Sequence, residues 1–309
     1  MISRSRIYQR LLTSPYVRFL PYNPSASLPR RTMTTSFQLP DNDAVTVSLP
    51  DTGVILKDDL LDFKPFQSWL EALQKNLALQ KNASHPFHAC PYELKKIEVQ
   101  SVDWFGESLG FVKFSAEIEN EDVESLPGSV FMRGPSVAMM VVLQPDDVPP
   151  ESQEEKHVIL TVQPRIAAGS LAFTELPAGM VDGSGNFKGA AAREIKEELG
   201  IEIGEGELKN LTELAIPSAT TDEDESLPQA LFPSPGGSDE HISIFLHERR
   251  VPRSQLAEWT GKLTGLRDEG EKITLKLVPL KDLWREGGRD GKTVAAYGFY
   301  VGLKAEGKI

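Results

Sequence analysis

Apolar and polar positions alternate early in the chain: Val45, Val47 and Leu49 are separated by polar residues, the period of a half-buried strand. Pro50-Asp51-Thr52-Gly53 then supplies a turn before Val54 and Leu56, so a β-hairpin is expected there. From Pro65 the period changes. Phe66, Trp69, Leu70, Leu73 and Leu77 recur at spacings of three and four, which predicts an amphipathic helix ending near Asn82, with proline tolerated in its first turn. Residues 94–104 and 110–119 return to strand character, and in the second Val112, Phe114, Ala116 and Ile118 alternate with Lys113, Ser115, Glu117 and Glu119.

Pro127-Gly128 punctuates the chain, and beyond it the pattern becomes continuous rather than alternating. Val137 to Leu143 and Val158 to Val162 are short apolar runs, as expected of strands buried on both faces, separated by an acidic, proline-rich loop from Pro145 to Lys156. A helix is predicted from about Lys188 to Leu199, closed by Gly200. Strands follow around Ile242 to Leu246 and Ile273 to Val278, with a terminal helix from about Thr293. The division read from this is a leader over 1–40, an α+β section over 41–125 and an α/β domain over 126–309.

Composition narrows the class. With 40% hydrophobic residues and a mean hydropathy of −0.27, the chain is of the globular type, and no apolar run approaches the roughly 20 residues of a spanning helix, so no membrane association is expected. A net charge of −12 disfavours nucleic acid as a partner. The single cysteine, Cys90, excludes an internal disulfide. Charge is unevenly placed: no Asp or Glu precedes Asp41, while Arg4, Arg6, Arg10, Arg18, Arg30 and Arg31 lie among serines and apolar residues. That composition fits a mitochondrial transit peptide; the alternative is a disordered basic tail, and translation from Met33 would leave a cytosolic form.

The predicted helix at 188–199 carries Glu194, Glu197 and Glu198 at spacings that put three carboxylates on one face towards its C-terminus, where repulsion and the helix dipole both disfavour them. A hard divalent cation reverses that sign; the alternative is a solvated acidic face partly neutralised by Arg193 and Lys196. Before it stands Glu175-Leu176-Pro177-Ala178-Gly179-Met180-Val181-Asp182, a strand end running into a glycine-bearing loop.

Gly179 followed at a fixed separation by Arg193-Glu194-Ile195-Lys196-Glu197-Glu198-Leu199-Gly200-Ile201 resembles the Nudix hydrolases. One position departs from that family's box: Gly185 stands where its first glutamate belongs. The segments 131–135, 232–237 and 264–271 are similar to those of the ADP-sugar diphosphatases. The resemblance implies an α/β Nudix fold, a mixed sheet between helices preceded by a smaller β-rich section, and a homodimer. It implies Mg²⁺- or Mn²⁺-dependent hydrolysis of a nucleoside diphosphate sugar, ADP-ribose or ADP-glucose, to AMP and a sugar phosphate.

By the same resemblance the Ala178 carbonyl, Glu194, Glu198 and Glu271 bind the metal, Glu197 is an additional or supporting ligand, Arg193 orients the carboxylates and Glu269 activates water. Arg165 and Arg133 are candidates for the pyrophosphate, since guanidinium forks match phosphate oxygens. Glu175 is a candidate for the adenosine or ribose, and Phe232 or an aromatic residue of the first section for stacking on adenine. Two alternatives stay open: a Nudix-fold module that binds ADP-ribose without turnover, motivated by Gly185, and a pyrophosphatase for another nucleoside diphosphate compound. His85, His88 and Cys90 lie too close in sequence for tetrahedral zinc and are expected to have ordinary loop roles.

Overall fold

A computed structural model describes residues 35–40, 42–51, 53–181, 186–199, 202–219, 221, 224–259, 262–264 and 272–309. The first sheet begins with β1 (Thr35–Leu39) and β2 (Asn42–Leu49), followed by α1 (Lys57–Asp62) and α2 (Lys64–Ala78). It continues with β3 (Glu93–Phe105), β4 (Ser108–Glu119), β5 (Ser125–Leu126) and β6 (Ser129–Met132). Its order is β1-β2-β3-β4-β5, with β6 also on β4; β2 and β3 run parallel, the other neighbours antiparallel. The alternation foreseen in β4 is realised: Val112, Phe114, Ala116 and Ile118 are buried. α2 lays Phe66 and Trp69 against Phe114, with Trp69 and Phe114 in an edge-on contact of 4.8 Å between centroids.

Two expectations change here. The hairpin partner of β2 lies before it, at β1; beyond β2 the chain runs through Gly53, at φ 64°, to α1 rather than back along β2. Thr35–Leu39, counted with the leader on composition, is therefore part of the folded unit. The break between sheets also falls later than Pro127-Gly128: β6 still belongs to the first sheet, and only Arg133–Pro135 separate it from the second.

The second sheet is built from β7 (Ser136–Pro145), β8 (His157–Arg165), β9 (Ser170–Glu175) and β10 (Ala178–Met180). After α3 (Phe187–Glu194) come β11 (Lys209–Asn210), α4 (Leu211–Ala215), β12 (Ile242–Val251), α5 (Arg253–Trp259), β13 (Leu263–Thr264), β14 (Ile273–Pro279), α6 (Leu283–Glu286) and α7 (Gly291–Ala305). Its order is β11-β12-β7-β8-β14-β13, with β10 on β7 and β9 on β8; β12 and β7 are parallel and the rest antiparallel.

Every residue of β7 is buried, as its unbroken apolar run requires. Val137, Met139, Val141 and Leu143 meet Ala190, Ala191, Ile195, Leu199 and Leu256 on one face. Ala138, Met140 and Val142 meet Leu211, Leu283, Ala296, Tyr300 and Leu303 on the other. The mixed sheet is thus held between helices, and its two-residue period sorts one strand into two cores.

Candidate active site

The site is assembled around β10. Ala178 and Gly179 pair with Ala138 and Val137 of β7, and the Val181 N–H donates to the Pro135 carbonyl at 3.1 Å. Across from this strand, α3 brings Glu194 so close that a Cβ on Gly179 would stand 1.7 Å from its Oε1. Only glycine lets that carboxylate rest on the β10 backbone, beside the Ala178 residue whose carbonyl the resemblance makes a ligand.

α3 starts at Asn186, whose side chain accepts the Gly189 N–H at 3.0 Å. After Glu194 the helix widens into one π turn over Ile195–Leu199, a distortion common at functional sites. Ile195 and Leu199 enter the core, Glu198 is 5% exposed, and Glu197 remains in solvent. The three glutamates do not share one surface as regular helical spacing implied. Glu194 and Glu198 turn inward, whereas Glu197 and Arg193 face water. Gly185, Gly200, Glu269 and Glu271 lie outside the described residues.

Two of the three segments likened to ADP-sugar diphosphatases, 131–135 and 232–237, meet. The Phe131 N–H donates to the Gly237 carbonyl at 2.8 Å, and the Asp239 carboxylate accepts from the Arg133 N–H at 2.7 Å and the Gly134 N–H at 3.1 Å. Glu240 accepts the Ser136 hydroxyl at 2.9 Å and pairs with the Arg133 guanidinium at 3.4 Å. Gly134, at φ 78° with Pro65 Cγ 2.7 Å from a would-be Cβ, makes this turn possible. Burial pushes the Asp239 carboxyl up and the His241 imidazole down. Phe232 packs on His241 at 5.7 Å, and Phe187 at the start of α3 lies 6.4 Å from the same ring. Asp239 and Glu240 were not singled out in the sequence; the signal available was an acidic pair after Gly236-Gly237, directly before the buried run of β12.

Arg165 and Glu175 come together through the β8–β9 hairpin: Arg165 Nε donates to Glu175 Oε1 at 2.5 Å. Glu175 is 3% exposed and also accepts from Lys292, so it anchors two cations. His85, His88 and Cys90 each have a partner of their own: the Phe87 N–H, the Gln80 carbonyl and, 32 positions away, the Asp122 carboxylate.

A metal fits the donors present. Two inward carboxylates and a strand carbonyl are hard oxygen ligands, and Mg²⁺ is commonly held by one or two carboxylates together with substrate phosphates. Among the described residues no three His, Cys, Asp or Glu side chains form a closed cage.

The fold is a mixed sheet between helices, with Glu194 and Glu198 turned in from a widened helix beside the glycine-bearing strand β10. A sequence profile described as NUDIX domain matches residues 136–297. Nudix hydrolase 14, chloroplastic, of Arabidopsis thaliana is 36% identical over 283 residues, covering 90% of this chain and 84% of its own. The chain belongs to the Nudix hydrolase family. A solved structure described as an ADP compounds hydrolase aligns with a TM-score of 0.43 at 20% identity, covering 70% of this chain and 99% of that one.

Proposed function

We propose that this protein hydrolyses the pyrophosphate bond of ADP-sugars, ADP-ribose or ADP-glucose, giving AMP and a sugar phosphate. The observation that carries the reading is the seating of Glu194 on Gly179 with Glu198 turned inward behind it. Ala178, Glu194, Glu198 and Glu271 would hold Mg²⁺ or Mn²⁺. When bound, the ion supplies positive charge to the nonbridging phosphate oxygens.

The protein's own residues do the rest. Glu269 takes a proton from the attacking water as its oxygen bonds to phosphorus and the bridging P–O bond breaks. Arg193 and Glu197, exposed at the rim, orient the inward carboxylates. Arg165 and Arg133 bind the diphosphate oxygens, and Phe232, packed on His241, offers a ring face for adenine. Glu175, already bonded to two cations, serves the site through Arg165 rather than by touching ribose. The same reading makes the protein a homodimer, checked by light scattering on the purified chain.

The test is AMP release from ADP-ribose, ADP-glucose, NADH and capped RNA, with Mg²⁺, with Mn²⁺ and with chelator. Metal-dependent AMP from an ADP-sugar is expected. No AMP from any ADP-sugar, together with a thermal shift on adding ADP-ribose, would replace hydrolysis by binding alone.

A further inference from the structure

Behind Arg165 lies a buried polar cluster that joins the last helix to the strand entering the metal site. Glu175 is bonded through Oε1 to Arg165 Nε and through Oε2 to Lys292 Nζ. Lys292 also pairs with Asp290 Oδ1 at 3.1 Å. Asp290 Oδ2 accepts the Thr293 hydroxyl at 2.5 Å and the Leu176 N–H at 3.2 Å, and Thr293 Oγ1 accepts that same N–H at 3.1 Å. Two carboxylates and two cations make the cluster neutral.

Its members differ in access. Glu175, Asp290 and Thr293 are buried and the Lys292 side chain is 11% exposed, whereas Arg165 is 42% exposed. Arg165 engages Glu175 through Nε alone; its two terminal nitrogens make no hydrogen bond among the described residues. That mooring is unusual for a guanidinium beside a buried carboxylate, which ordinarily pairs through two parallel N–H bonds. Oε2 of Glu175, the second oxygen such a pair would use, carries Lys292 Nζ instead.

We propose that Lys292 is a positioning residue: by occupying Glu175 Oε2 it keeps Arg165 moored through Nε, with both terminal nitrogens directed to the substrate diphosphate. This rests on the reading of Arg165 as a diphosphate contact. Without Lys292, Arg165 is the one cation left against a buried carboxylate, and it turns to grip both oxygens. The guanidinium is then withdrawn from substrate although its charge is retained.

Lys292→Met should therefore raise KM for the ADP-sugar about tenfold or more with kcat changed much less, as for loss of a charge-assisted contact made equally in ground and transition states. Lys292→Arg, which keeps the charge, should hold KM near wild type. Glu175→Gln/Lys292→Met, which removes the competing carboxylate charge, should recover most of the KM loss. Adding Arg165→Met to Lys292→Met should raise KM little further, because the first change has already withdrawn Arg165. If Lys292→Met does not fold, Lys292→Leu, which likewise cannot donate to Glu175, carries the same expectations. A lowered Tm with unchanged KM, or fully additive effects of the Lys292 and Arg165 changes, would overturn the proposal.

Arginine side-chain NMR reads the mooring apart from turnover. The terminal N–H protons of Arg165 should exchange freely in wild type, become protected in Lys292→Met, and exchange freely again in the double variant. Absence of protection in Lys292→Met overturns the mooring even in an active enzyme. A wild type that releases no AMP while this pattern holds refutes the hydrolase reading and leaves the mooring standing.

Discussion

Glu194 rests its carboxylate on the backbone of Gly179, with no room between them for a methyl group: an added Cβ would lie 1.7 Å from Oε1 and 1.9 Å from Cδ. The obstructing atoms are the end of a flexible side chain, so Gly179→Ala displaces the carboxylate and leaves β10 in place. The expected result is a near-native melting curve with metal-dependent activity lowered by orders of magnitude, since a displaced ligand removes charge stabilisation from the transition state. Calorimetry beside the AMP assay checks it, and wild-type activity in this variant would exclude Glu194 as a ligand from this position.

Glu198 gives the complementary case, a carboxylate turned into a buried place on a π turn. Replacing it by Gln keeps the size of the side chain and removes the negative charge that a divalent cation would use. Mg²⁺ should stabilise Glu198→Gln less than it stabilises wild type, and turnover should fall steeply. Equal Mg²⁺-induced shifts in Tm for the two proteins would sink this assignment.

Much of the fold was legible because burial writes itself into periodicity. The alternation in β4 and the unbroken run of β7 each state how many faces are covered. What escaped was set by partners distant in sequence. β1 sits in acid-free sequence that composition assigns to the leader, and only pairing with β2 makes it a strand. The π turn at Ile195–Leu199 has no local signature, since its residues are all compatible with an α-helix. Arg165 and Glu175 were separate candidates in sequence; the hairpin register joins them, and Lys292, from 117 positions beyond Glu175, completes the cluster.

The outer face of α7 invites a stability test. Gly298 lies mid-helix and exposed, and a Cβ there would meet nothing within 4 Å. Gly298→Ala should raise stability by about 0.5–1 kcal/mol through helix propensity and a less flexible unfolded chain. Urea melts check this. A loss of stability together with a loss of mass in solution would mean that a second copy packs on this face.

The strand β1 also constrains processing of the amino terminus. Import with cleavage must spare Thr35–Leu39 if the first sheet is to keep its edge strand, so a mature terminus at or before Thr35 is expected. A form beginning at Met33 retains the same strand and should melt with the mature form. Terminal sequencing of protein recovered from cells, with imaging of both tagged forms, decides it; a mature terminus beyond Leu39, or cytosolic signal from both forms, would reject the transit reading.

His247 sets an expectation for acid. It lies on β12 at 4% exposure, and burial pushes its imidazole below the ordinary histidine value, against the pull of Glu207. The unfolded chain therefore takes up this proton at a higher pH than the folded one, so acid favours unfolding. The stabilising effect of keeping His247 neutral is complete above the unfolded value of about 6.5 and declines as pH falls from there through the lowered folded value. His241, lowered by burial as well, acts in the same direction. Urea melts of wild type between pH 8 and 5.5 should show falling stability, and His247→Leu, which cannot take up the proton, should show a shallower fall. Parallel curves for the two proteins would rule out His247 as a source of the acid sensitivity.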